Sequence, residues 1–227
     1  MLSQDEIKKK LGVFAADFVT DNATIGMGTG STVFWLIKEL AIRVRDGLSI
    51  KIVPTSSSTK KLVAEAGIET IELNDVDSLP VTIDGADEMD HNFQLIKGGG
   101  GALLQEKMVA AASWKLIIIA DESKYVSQLG NFPLPVEVVP SGWKQVNKKI
   151  LAKGCNKVLM RHLNDMPFIT DNGHYILDCY FGKIEDATAL NTSLHLIPGV
   201  VETGLFINLA HTIIVGHADG RIEMKKR

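Results

Sequence analysis

The chain has 227 residues, of which 45% are hydrophobic and 22% charged. That length holds one large domain or two small ones and can bury roughly 70–75% of its unfolded surface, and the composition argues against a mostly disordered chain. Lys plus Arg is 24 against 27 for Asp plus Glu, a net charge of -3, which is not the basic footprint of a nucleic-acid binder.

Residues 8–19 place Leu11, Phe14, Ala15 and Phe18 at helical spacing and predict a helix. Residues 24–28 are a short apolar run ending in glycines, read as a buried strand. Residues 31–45 predict a second helix on the stripe Val33, Leu36, Ile37, Leu40, Ala41 and Val44. Residues 50–54 predict a strand closed by Pro54, and residues 58–66 a helix stopped by Gly67. Strands follow at 68–73 and 81–83, a helix at 102–112, and the most strand-like run of the chain at 115–120. Strands alternating with helices at this spacing imply βαβ units and an α/β fold: a mostly parallel sheet with helices on both faces. Ligands bind such sheets beyond the carboxyl ends of the strands.

The pattern changes near Gly130. Residues 132–140 carry three of the seven prolines and alternate after Pro135. Short strands are expected at 157–161, 168–170 and 175–180, with Thr170-Asp-Asn-Gly-His174 as a hairpin turn between the last two. Helices are expected at 142–152 and near 184–194. This set reads as a smaller inserted α+β domain with an antiparallel sheet, spanning 131–205. Apolar runs at 205–209 and 212–215 bring the tail back to the first sheet, so the large domain is taken as 1–130 and 206–227.

No apolar run approaches the ~18–20 residues that span a bilayer. The first ten residues mix acids and bases and lead into no apolar stretch, so no signal peptide is expected. Cys155 and Cys179 show no C-x-x-C pattern and read as reduced thiols of a cytoplasmic protein.

Four segments carry chemistry. Gly26-Met-Gly-Thr-Gly-Ser-Thr32 joins a strand to a helix N-terminus, where backbone N–H groups and helix dipole suit a phosphate. It is neither the dinucleotide fingerprint, since position 31 is Ser, nor a P-loop, since no Gly-Lys-Ser/Thr follows. Pro54-Thr-Ser-Ser-Ser-Thr59 follows the next strand and reads as a helix-capping loop or a polar pocket wall. Val81-Thr-Ile-Asp-Gly-Ala-Asp-Glu88 runs a strand into Asp84 and Asp87; turn capping and a hard-metal cluster of Asp87, Glu88, Asp90 and His91 are the other readings. Lys97-Gly-Gly-Gly-Gly-Ala-Leu-Leu-Gln-Glu-Lys107 puts four glycines beside a lysine, a nest of amides for an oxyanion. Glu106 has the apolar helical neighbours Ala102, Leu103, Val109 and Ala110, which would desolvate its carboxylate and raise its pKa toward that of a useful base. Lys107 also has apolar neighbours, so the helical wheel does not choose between them.

In this order and register, these stretches resemble the ribose-5-phosphate isomerase family of type A. Ala120-Asp-Glu-Ser-Lys124, Phe132-Pro-Leu-Pro-Val-Glu-Val138, Thr170-Asp-Asn-Gly173 and Ile197-Pro-Gly-Val-Val-Glu-Thr-Gly-Leu-Phe206 extend the likeness over essentially the whole chain. The resemblance implies a Rossmann-like domain plus a smaller antiparallel α+β domain, assembled as a homodimer or homotetramer. It implies interconversion of ribose 5-phosphate and ribulose 5-phosphate with no metal and no organic cofactor, in the cytoplasm, with no nucleic-acid or membrane partner. Glu106 would be the base moving a proton between C2 and C1. Thr29, Gly30, Ser31 and Thr32 would line the substrate and phosphate site, with Lys8 and Lys124 as cationic partners. Asp84 would assist ring opening, with Gly85 and Ala86 against the substrate. Asp87, Lys97 and the amides of Gly98, Gly99 and Gly100 would hold hydroxyls and enediolate oxygens. Two other readings use the same glycine-lined edges: a CoA transferase or amino-sugar phosphate deaminase, and a sugar-phosphate sensor domain.

Overall fold

The computed structural model describes residues 1–227. The chain runs α1 (Gln4–Ala16), β1 (Ala23–Met27), α2 (Ser31–Arg45), β2 (Ile50–Pro54), α3 (Ser57–Glu65), β3 (Glu69–Thr70), β4 (Thr82–Asp84), β5 (Glu88–Met89), β6 (Leu95–Ile96) and α4 (Leu103–Ala111). It continues through β7 (Leu116–Asp121), β8 (Leu134–Val138), α5 (Trp143–Leu151), β9 (Lys157–Met160), β10 (His162–Leu163), β11 (Met166–Pro167) and β12 (Tyr175–Tyr180). It ends with α6 (Ala187–His195), β13 (Val200–Thr203), β14 (Leu205–Phe206), β15 (Ala210–Gly216) and β16 (Ile222–Lys226). Two compact units result: Met1–Ala86 with Gln105–Tyr125 and Leu209–Arg227, and Asp87–Leu104 with Val126–Asn208.

The first unit is built on a seven-stranded sheet in the order β16-β15-β7-β4-β1-β2-β3, parallel except for the terminal strand β16. Its interior strand β7 is buried at every position, as a strand covered on both faces must be. Side chains alternate across the sheet. Ile25 and Ile52 enter a core with Leu11 of α1 and Leu36 and Leu40 of α2, whereas Val53 packs with Val109 of α4. Helices therefore cover both faces. α1 begins earlier than its apolar spacing indicates, because Ser3 and Glu6 form a reciprocal capping box. α3 is capped by the Ser56 side chain, which accepts from the Thr59 amide. The strand expected over 68–73 is limited to β3, and residues Leu73–Asp75 turn into a 3-10 helix.

The second unit holds a four-stranded antiparallel sheet in the order β13-β8-β12-β9 and a three-stranded sheet in the order β14-β6-β5. Its core joins Leu134, Val136 and Val138 of β8 to Leu177 and Cys179 of β12, Val146 and Ile150 of α5 and Leu194 of α6. Three expectations are corrected here. Residues 87–104, read as part of the large domain, belong to this unit, because β5 and β6 pair with each other and β6 pairs with β14. Accordingly Leu205–Phe206 joins that small sheet, and the tail reaches the parallel sheet only at β15. No strand forms at 168–170: β12 pairs with β8 and β9, and Thr170 instead closes the turn to His174 with its amide, which donates to the His174 carbonyl, and its hydroxyl, which accepts the His174 amide.

Candidate active site

In the first unit the polar residues lie where β1, β2 and β4 end. The Asp84 carboxyl, 1% exposed, accepts the amides of Thr29 at 3.2 Å and Gly85 at 2.7 Å on one oxygen. Gly28 permits this, since a Cβ there would overlap the Asp84 carboxyl. Thr29 Oγ1 lies 2.9 Å from Thr55 Oγ1, 2.8 Å from Ser56 Oγ and 2.9 Å from Thr59 Oγ1. The Thr59 hydroxyl in turn donates to the Gly28 carbonyl at 2.9 Å. The loops after β1 and β2 thus form one hydroxyl network, in which the segment 54–59 also caps α3. Gly30 is the N-cap of α2 with no side-chain cap bond, and Gly30 and Ser31 are exposed there. Those first N–H groups carry the positive end of a 15-residue helix.

Glu106 lies in the first turn of α4 and is 4% exposed, whereas Lys107 is half-buried. The structure therefore makes the choice that the helical wheel leaves open: the carboxylate takes the inner position. Lys8 is half-buried on α1, and Lys124 is half-buried in the 3-10 turn after β7. That turn is fixed at its start by two carboxylates. Asp121 caps it through the Ser123 amide, and Glu122 accepts from the Ala218 amide at 2.9 Å and lies 2.7 Å from His217 Nδ1. The Ala218 amide and then the His217 ring hold the Glu122 carboxyl below the usual carboxylate range.

In the second unit Asp87 Oδ2 accepts the Gly99 amide at 2.7 Å, which ties the acidic segment to the glycine run. Lys97 is only 2% exposed; its ammonium lies 5.4 Å over the Phe206 ring and its amide donates to the Gly204 carbonyl at 2.9 Å. The Gly101 amide donates to the Gly98 carbonyl at 2.9 Å, closing a tight turn. Gly101 sits at φ +83° with the Phe168 ring where a Cβ would project, so no other residue fits. Glu88 and Asp90, weighed above as metal ligands, hold backbone. Glu88 accepts the amides of Gly130 and Phe132 at 2.7 and 2.6 Å, and Asp90 accepts those of Asn92 and Gln94, both at 2.9 Å.

The expected residues thus fall into two sets. Lys8, Thr29 to Thr32, Asp84 to Ala86, Glu106 and Lys124 belong to the first unit; Asp87 and Lys97 to Gly100 belong to the second. Arg161 and Phe168, which touch the glycine run, were not anticipated. Both stand in short strand-and-turn sequence with no motif around them.

A parallel sheet with a polar rim and a helix N-terminus that no side chain caps is the arrangement by which α/β enzymes bind small phosphorylated ligands. Residues 51–220 match the family model described as ribose 5-phosphate isomerase A (phosphoriboisomerase A). The ribose-5-phosphate isomerase A of Bacillus mycoides is 54% identical over 215 residues, covering 94% of this chain and 97% of that protein. The solved ribose 5-phosphate isomerase from Plasmodium falciparum superposes with a TM-score of 0.95 at 37% identity, covering 98% of this chain and 99% of that one. A D-ribose-5-phosphate isomerase in complex with phospho-erythronic acid superposes with a TM-score of 0.96 at 38% identity over 100% of both chains. The chain belongs to the ribose 5-phosphate isomerase A family.

Proposed function

We propose that the chain interconverts D-ribose 5-phosphate and D-ribulose 5-phosphate through an enediolate, with Glu106 carrying the proton between C2 and C1. The observation that carries this reading is the buried Glu106 carboxylate, set in the first turn of the helix that follows the glycine run, in a chain of this family. A C–H beside a carbonyl is a very weak acid, so a positioned base needs help from stabilised negative charge. The buried Lys97 ammonium and the amides of Gly98 to Gly100 are suited to supply it, with Asp87 accepting from a substrate hydroxyl. Asp84, pinned by two amides, is suited to assist ring opening beside Gly85 and Ala86. Thr29, Gly30, Ser31 and Thr32 at the start of α2 suit the phosphate, with Lys8 and Lys124 as counter-charges. Phosphate binding then fixes the sugar for proton transfer at its far end.

We further propose that the protein is a cytoplasmic homodimer or homotetramer acting on this small-molecule substrate, with no nucleic-acid or membrane partner and no metal or organic cofactor. Support for self-association comes from Leu159, Leu163, Met166 and Ile169, which stand exposed along one stretch of the second unit. No helix is long and apolar enough to cross a membrane. Cys155 and Cys179 are free thiols, as a reducing compartment keeps them.

The test is ribulose 5-phosphate formation from ribose 5-phosphate by the purified protein in EDTA. Undiminished turnover with the chelator is the expected result. Activity lost in EDTA and restored by a divalent ion would replace this mechanism with a metal-assisted one. Binding of ribose 5-phosphate without turnover would leave a sensor.

A further inference from the structure

Arg161 follows β9, and its side chain is 15% exposed. Two of its nitrogens are committed to Asp178 on β12: Nε donates to Oδ2 at 3.0 Å, and Nη2 donates to Oδ1. Such a two-point pair locks the planar guanidinium in orientation. Asp178 is itself held in register, opposite Leu159 of β9 and Pro135 of β8. The third nitrogen leaves the pair. Nη1 donates to the carbonyls of Gly98 at 2.7 Å and Gly99 at 3.1 Å, more than sixty residues back along the chain.

The chain has no cis peptide bonds, so each glycine peptide points its C=O and N–H in opposite directions. Fixing the Gly98 carbonyl fixes the Gly99 amide, which donates to Asp87. Fixing the Gly99 carbonyl directs the Gly100 amide away from Arg161. A cation on a carbonyl oxygen also polarises the whole peptide and makes its N–H a stronger donor.

We infer that Arg161, locked by Asp178, is a positioning residue for the isomerisation: it sets the Gly99–Gly100 peptide so that a polarised Gly100 amide is offered to the oxygen that gains charge in the enediolate. This rests on the reading that the glycine amides hold that oxygen.

The experiment compares Arg161→Met, Arg161→Lys and Asp178→Asn with wild type for kcat, KM, melting temperature and binding of two probes. Phospho-erythronic acid presents a planar carboxylate with two charged oxygens, as an enediolate does; inorganic phosphate reports only the phosphate end. Misplacing one such donor should lower kcat about 10- to 100-fold in Arg161→Met. Phospho-erythronic acid affinity should fall with kcat, while KM and phosphate affinity hold, because only binding of the charged state is lost. Arg161→Lys keeps a cation at the carbonyls and should recover part of the loss, and Asp178→Asn should fall between the two. Wild-type kcat in folded Arg161→Met overturns the inference. So does a general loss, in which both probes weaken together, melting falls and Lys recovers nothing, since that marks a structural role. Glu106→Gln run alongside separates the two levels: normal turnover there removes the underlying reading, whereas an inactive Glu106→Gln beside a normal Arg161→Met removes only the role of Arg161.

Discussion

Thr29, in the first unit, is held by its immediate neighbours in the parallel sheet: the carboxyl at the end of β4 and the hydroxyls after β2. Gly99, in the second unit, is held by Asp87 twelve residues away and by Arg161 sixty-two residues away. Around it, Gly98 takes the same arginine, Gly101 abuts Phe168, and Lys97 takes the Gly204 carbonyl. The first arrangement follows from the sheet itself, because parallel strands all end at one edge and deliver their loops side by side. The second is assembled from distant parts of an antiparallel fold, with charge doing what strand order does in the first. One rim is thus made of backbone and hydroxyls. The other is a glycine turn with little side chain of its own, stiffened by an arginine, a buried lysine and two aromatic rings.

The largest expected effect tests whether the glycine turn needs a base at all. Glu106→Gln keeps shape and removes the proton acceptor, so kcat should fall by about 10²-fold or more with the fold intact. Turnover near wild type in a folded variant would leave the glycine turn as a binding element only.

Next comes the long-range character of the second unit. Glu137 is fully buried on β8, and one of its oxygens accepts from the Thr170 hydroxyl at 2.9 Å and lies 2.9 Å from His174 Nδ1. Thr170→Val removes that donor, and with it the hydroxyl that receives the His174 amide at 3.1 Å. Stability should fall by about 2–3 kcal/mol, since the buried carboxylate oxygen loses one of its two partners and the His174 amide loses its acceptor. Urea unfolding would show this, and a loss under about 1 kcal/mol would mean that local strand pairing, not the distant contact, holds the turn.

The same contrast decides how much could be read from the sequence. In the first unit the loops after β1, β2, β4 and β7 were legible, because each follows a strand with a clear apolar signature and the edge rule says where to look. The burial of Glu106 against Lys107 was not, since both have apolar neighbours at helical spacing. In the second unit the glycine run announced itself, but its supports did not. Arg161 follows a strand of alternating exposure, β9, and Phe168 follows a two-residue strand. Neither position has a periodicity or motif that marks a contact sixty residues away. For the same reason residues 87–104 were read into the wrong unit: β5, β6 and β14 are two residues each, and only their mutual pairing reveals them.

A smaller effect probes the sheet edge of the first unit. Gly28→Ala forces a methyl group into the Asp84 carboxyl, which two amides hold in place. Overpacking of this kind costs about 1–3 kcal/mol, and because the displaced group is Asp84, the loss in kcat should exceed what the melting shift explains. Unaltered kcat with lowered stability would remove Asp84 from the chemistry and keep it as a strand-end cap.

The smallest effect lies where the first unit is most local. Glu6 accepts the Ser3 amide at 2.8 Å and the Ser3 hydroxyl at 2.7 Å, and these two bonds, the amide first, hold its carboxyl below its ordinary 4.5. A carboxyl depressed in the folded state contributes stability above pH 4.5 and loses it as the pH falls through the folded value. Ser3→Ala removes the hydroxyl bond and the cap on the Glu6 amide but keeps the backbone donor. Melting should therefore drop by about 2–4 °C at neutral pH. The gap to wild type should narrow between neutral pH and a pH below the folded value of Glu6, where the carboxyl is protonated in both chains and only the cap bond still differs. An equal gap at both pH values would assign the whole effect to the cap and none to the carboxylate. Because both partners lie within one helical turn, kcat should not change; a change would show that even this local element is coupled to the site.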